Sequence, residues 1–233
     1  MKNSIVKRSF KLAALGLLAL PVSIGLAADV IINNFDTASE VNQWRFDFGG
    51  VAHAESFDPT MDSNGNPSSG SMQVTLNFNS GTLGSNNKGA YTRDAFFPGV
   101  DGSQFSSLQF DLKIDSGSVT DAFGNNGFFS LALRNTDNYN YVQQFGDNVR
   151  SADGWRHIVV SPLVAPDDAI RAITWQLYGG PSQNITGHVT LWFDNVHFSV
   201  VPEPSTLTLT GLGALGLLAI QRRKGNLPAE VSR

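Results

Sequence analysis

Asp36 and Asp194 each place a short carboxylate in an otherwise apolar segment. Hard oxygen donors of this kind suit a Ca2+ ion; the other use of such residues is a turn cap and a solvated edge. Asp62, Asn64 and Asn66 occupy the first three ligand positions of a calcium loop. Pro67 then stands where that loop needs glycine, and Gln73 where it needs a bidentate glutamate. The run therefore reads as a turn rich in Asx residues. Aromatic side chains out of phase with their apolar neighbours offer a second chemistry. Tyr178 shares a strand face with Thr174 and Gln176, Trp192 shares one with Thr190 and Asp194, and Tyr139 and Tyr141 sit in a polar stretch. Facing outward, such rings form platforms for the apolar C–H faces of sugars. Arg134, Gln144 and Gln176 could add hydrogen bonds to hydroxyl groups. Trp175, in phase with Ile173 and Leu177, is expected in the core.

Catalytic signals are sparse. Between residues 28 and 200 the only glutamates are Glu40 and Glu55, which gives no clear acid–base pair. No Gly-x-Ser-x-Gly elbow is present, and His53, His157, His188 and His197 lack metalloprotease spacing. The absence of cysteine excludes a thiol nucleophile and any Cys-based metal site. A non-catalytic protein is expected. Pairs of aspartates leave a glycan hydrolase or lyase as an alternative.

The 16 basic residues crowd the two ends of the chain. Residues 28–200 keep eight of them against eighteen acids, a balance of −10. Such a domain repels nucleic acid and anionic lipid and leaves cations and neutral polymers as partners.

The elements that must position these residues are strands. Met72, Val74, Leu76 and Phe78 alternate with polar residues, as do Leu108, Phe110, Leu112 and Ile114, and later Val189, Leu191 and Phe193. Each run has one buried and one wetter face, as in antiparallel sheets. Gly, Asn, Asp and Pro clusters separate the runs. About ten strands between residues 28 and 200 predict an all-β, two-sheet antiparallel sandwich.

The two ends read as addresses. Residues 1–27 carry a positive region, the short apolar run LAALGLLAL, a proline break and small residues at 25–27, the pattern of a signal peptide. At the other end Pro202, Glu203 and Pro204 precede an apolar run over 206–220, and then come Arg222, Arg223 and Lys224. Fifteen helical residues rise about 22 Å, short of the ~30 Å hydrocarbon core. The basic trio is expected on the cytoplasmic side, followed by a tail at 225–233. This run at 201–224 resembles the PEP-CTERM sorting signal of Gram-negative bacteria. The resemblance implies export through the Sec translocon and signal peptidase and a precursor anchored in the inner membrane. Recognition by an exosortase and transfer to the cell surface or extracellular matrix would follow.

The middle of the chain resembles the galactose-binding-domain-like jelly rolls, which include many carbohydrate-binding modules. Four segments carry the likeness in order: IINNFD at 31–36 with Trp44 after it, DGWRHIVVSPL at 153–163, AIRAITWQLYG at 169–179 and VTLWFDNVHF at 189–198. The resemblance implies a jelly roll over 28–200, with a structural calcium held by Asp36, Asp194 and main-chain carbonyls. Binding or organising extracellular polysaccharide is the function it implies. The alternative is a structural surface or matrix protein without a glycan ligand.

Overall fold

The computed structural model describes residues 28–78, 87–97, 99–135, 141–161, 163, 169–179 and 185–201, with backbone alone at 141–144. The expected signal peptide, the apolar run at 206–220, the basic trio, the tail and Tyr139 lie outside the described residues. Among the described residues no helix is long and apolar enough to cross a membrane.

Among the described residues eleven strands form two antiparallel sheets. One sheet contains β1 (Val30–Asn33), β3 (Ala52–Asp58), β4 (Ser71–Phe78), β6 (Phe105–Ile114), β9 (Arg156–Val160) and β11 (Gly187–Val200). Its order is β3-β4-β11-β6-β9, with β1 also paired to β11. The other sheet contains β2 (Arg45–Gly49), β5 (Lys88–Asp94), β7 (Phe128–Asn135), β8 (Tyr141–Asn148) and β10 (Ile170–Tyr178), in the order β2-β5-β10-β7-β8. The α-helix described is the single turn α1 (Ala38–Val41). The sandwich expected from alternation is the one observed, and residues 27–202 form one compact unit.

The inner faces meet over Phe110, Phe129, Trp175 and Phe193, all fully buried. Trp175 stacks on Tyr91 with ring centroids 4.7 Å apart and approaches Phe193 at 5.9 Å. Offset and tilted contacts of this kind suit the ring quadrupoles, and each large ring removes much apolar area from water. Tyr91 reaches past the core to donate its hydroxyl to Glu55 at 2.9 Å. Burial and that carboxylate push the phenol well above its ordinary range.

Asn195 has φ of 49°, and the pairing of β11 with β6 shifts there. This bulge lets both Phe193 and Val196 face the core, while Asp194, still in register with Asp111, alternates to the outer face. The edge strand β3 is mostly exposed and carries the charged Glu55, a residue of the kind that discourages edge-to-edge pairing.

Candidate functional site: the outer face of the five-stranded sheet

Residues of β5, β10 and β7 that alternate away from the core make three transverse rows. Tyr178 stands between Lys88 and Phe128, Gln176 between Ala90 and Ser130, and Thr174 between Thr92 and Ala132. Two rows have a small-residue floor; the first rises as aromatic rings and an ammonium. Phe128 is 36% exposed, and its ring lies where a Cβ on Gly146 would stand, 2.5 Å away. Glycine at 146 is what lets that ring settle across β8. Tyr178 tilts against Phe128 at 6.3 Å and donates its hydroxyl to Gln176 Oε1.

Phe48 of β2 lies opposite Ala90 and so extends the neighbouring row, that of Gln176. Lys88 Nζ sits 4.5 Å from the Phe48 ring centre and 5.1 Å from that of Tyr178. The Arg134 guanidinium lies 5.6 Å from the same Phe48 ring. Asp47 accepts from the Thr92 hydroxyl at 2.9 Å and faces Arg134 Nη2 at 3.6 Å. Burial holds the Lys88 amine below its ordinary value, and the Arg134 charge beside it lowers it further.

Of the residues expected to bind a ligand, Arg134, Gln176 and Tyr178 come together on this face. Tyr141 and Gln144 occupy register positions opposite Arg134 and Ala132. Gln176 is 2% exposed and Arg134 is 8% exposed, so both underpin the face rather than opening their donors to solvent.

Trp192 departs from expectation. It alternates outward, but from the six-stranded sheet, and it is only 8% exposed. Its indole N–H donates to Asp58 Oδ2 at 2.9 Å, and Lys113 covers the ring at 5.7 Å. It therefore forms no shared platform with Tyr178. Burial opposes the charge on Asp58, yet bonds from Thr60 and Trp192 hold its carboxyl below the ordinary value.

Asp36 and Asp194 also sit in different settings. Asp36 is exposed, and its backbone N–H donates to Glu40 at the start of α1. Asp194 is fully buried beneath the 58–66 turn and accepts backbone N–H groups from Ser63 at 3.0 Å and Asn195 at 2.7 Å. Burial pushes its carboxyl up to about 6, the nearby charge of Asp62 adds to this, and the bonds from Ser63 and Asn195 pull it back. The turn is the Asx-rich one expected: Thr60 donates its N–H to Asp58, Asn66 to Asp62 and Ser68 to Asn66. As placed, Asp36 and Asp194 do not fit a shared calcium ion, because N–H donors point at both oxygens of Asp194. Among the described residues no group of three or more His, Asp or Glu could hold a metal ion.

Two open hollows are found among the described residues. One, of about 450 Å3, is lined by Asp147, Asn148, Arg150, Asp153 and Arg156, with Arg156 paired to Asp147 at 2.7 Å. The other, of about 290 Å3, includes Asp111, His157 and His197, and the first two meet at 2.8 Å.

Sequence reasoning passed over Phe48, Asp47, Lys88 and Phe128. A signal for two of them exists: Phe128 alternates with Phe129 and Leu131, and Lys88 with Gly89 and Tyr91.

Residues 200–224 match the model described as the PEP-CTERM protein-sorting motif. The chain thus carries a signal for export and cell-surface sorting. No curated protein matches the sequence. Among solved structures, the chain resembles the CBM27-1 carbohydrate-binding module of Caldicellulosiruptor saccharolyticus, solved with mannohexaose. Identity is 16%, coverage is 76% of this chain and 98% of that one, and the TM-score is 0.51. It also resembles the family 11 module of Clostridium thermocellum, solved with a mixed-linked β-1,3-1,4 tetrasaccharide. There identity is 15%, coverage 75% and 97%, and the TM-score 0.49. The first of these likenesses establishes the carbohydrate-binding-module jelly-roll fold.

Proposed function

We propose that this protein is a surface-sorted, non-catalytic binder of extracellular polysaccharide. Its binding surface is the outer face of the five-stranded sheet. The observation that carries the reading is the pair of rings Tyr178 and Phe128, with Phe48 reaching the same Lys88 from the neighbouring row, beside a small-residue floor. Rings held side by side above a low floor give sugar C–H faces an apolar seat, and the flanking polar groups fix hydroxyls. The solved relatives' oligosaccharide ligands support the same reading. The sorting motif supports the route: passage through the Sec translocon, removal of residues 1–27 by signal peptidase, an inner-membrane precursor and processing by an exosortase. Export to the polysaccharide-rich exterior puts such a face where its ligand is.

The test is binding of the full chain, purified in mild detergent, to an array of bacterial and plant glycans. Retention of a glycan set that is lost with Tyr178→Ala is the expected result. Equal retention by that variant would move the site elsewhere. Release of reducing ends from any retained glycan would overturn the non-catalytic part.

A further inference from the structure

The cations of this domain are scarce, and nearly all the arginines have partners. Arg45 pairs with Asp94 at 2.8 Å, Arg156 with Asp147, Arg171 with Asp94 at 3.5 Å and Arg134 with Asp47. Lys88 differs. Among the described residues no carboxylate lies within ion-pair distance of its ammonium. The charged group that acts on it is another cation, Arg134. Asp47, the carboxylate on this part of the sheet, is already shared by Arg134, by Arg45 at 3.9 Å and by the Thr92 hydroxyl.

Two like charges gathered at one ring cost energy in the free protein. Ring faces offset this only in part, since a cation–π contact is weak beside a direct ion pair. An anion seated on Lys88 would relieve the repulsion and gain charge-assisted hydrogen bonds from its ammonium. The place where it would sit is the rim of the aromatic row, beside Tyr178, where a sugar would stack.

We infer that the polysaccharide bound on this face is acidic, with a carboxylate or sulfate on the sugar held by the Lys88 ammonium while the ring rests on Tyr178 and Phe128; Arg134, enclosed beneath, adds its field but no contact. This rests on the glycan-binding reading above and goes against what the net charge of −10 suggests. A mean charge describes long-range repulsion; the contact is decided by the groups within a few ångströms.

The experiment compares three probes on the full chain by calorimetry: a mannuronate hexamer, a sulfated galactan hexamer and neutral mannohexaose. Tighter binding of either acidic probe than of mannohexaose, by about tenfold or more, is expected. Which acidic probe binds decides between carboxylate and sulfate. Lys88→Gln should remove that preference, and Lys88→Arg should retain it. Lys113→Gln, on the other sheet, should leave it intact. Equal binding of neutral and acidic probes would overturn the acidic assignment while leaving a glycan-binding face in place. A preference that survives Lys88→Gln would also overturn it. Failure of a broad glycan array, neutral and acidic alike, would overturn the glycan-binding reading itself.

Discussion

Gln176 and Tyr178, two residues apart on β10, project from the same face, and the tyrosine hydroxyl donates to Gln176 Oε1. The bond fixes the ring before any ligand arrives, which lowers the ordering cost of binding. Tyr178→Ala should weaken glycan binding by about 1–3 kcal/mol with little loss of thermal stability. Tyr178→Phe should fall between that variant and the parent, because the ring survives without its restraint. Isothermal titration and a thermal melt separate the effects; a large melting change in Tyr178→Ala would mean that the ring is structural.

Trp192→Ala should do the reverse. The indole is nearly enclosed and bonded to Asp58, so its loss should cost about 3–5 kcal/mol of stability. Glycan affinity of the folded fraction should be unchanged, since the residue belongs to the other sheet. Denaturant unfolding with binding measured on the same samples checks both.

Asp194 sets a pH dependence whose sign is unusual for a carboxylate. Its folded value of about 6 lies above the ordinary 3.8, so the folded protein binds the proton more tightly than the unfolded chain. Through this group, stability is greatest below pH 4, declines as the pH rises from about 4 to 6, and is lowest above 6. Melting curves of the parent should show that decline, and Asp194→Asn should flatten it over the same window. A variant whose curve keeps the full slope would assign it to another group.

Chelation decides the calcium expectation. With N–H donors on both Asp194 oxygens, EDTA should leave the melting temperature unchanged and added Ca2+ should not raise it. A stabilisation that grows with Ca2+ concentration would show that the Ser63 turn gives up those bonds to a cation.

Processing is tested at the other end of the chain. Replacing Glu203, or Arg222, Arg223 and Lys224 together, should hold the uncut tail in the inner membrane. Mass spectrometry of surface material from the parent should lack the apolar run at 206–220; finding that run intact there would reject removal of the tail.

The alternation of Ile173, Trp175 and Leu177 against Thr174, Gln176 and Tyr178 was enough to read the sandwich and put Trp175 inside it. Period-2 reading gives the face of a residue, since successive Cβ atoms point to opposite sides. It does not give the sheet, because strand order is set by pairings far apart in sequence. Trp192 and Tyr178 therefore looked equivalent, although β11 lies between β4 and β6 while β10 lies between β5 and β7. Nor does alternation show what covers a face: Asp58 reaches Trp192 across 134 residues, and Ser63 reaches Asp194 across 131. Alternation gives the face of Lys88 but not its role, which depends on Phe48 and Arg134 arriving from two other strands.

The strand nearest the C-terminus, β11, sits in the middle of its sheet and adjoins the sorting motif directly. A chain that crosses a membrane N-terminus first delivers β4 and β6 long before the strand that joins them. Until residues 187–200 follow, the two flanking pairs, β3 with β4 and β6 with β9, stay separate leaves with open inner edges. Completion of the six-stranded sheet therefore waits for the last residues before the motif. The fold works as a clasp that shuts last, so a shut domain reports that every strand of the sandwich is in place.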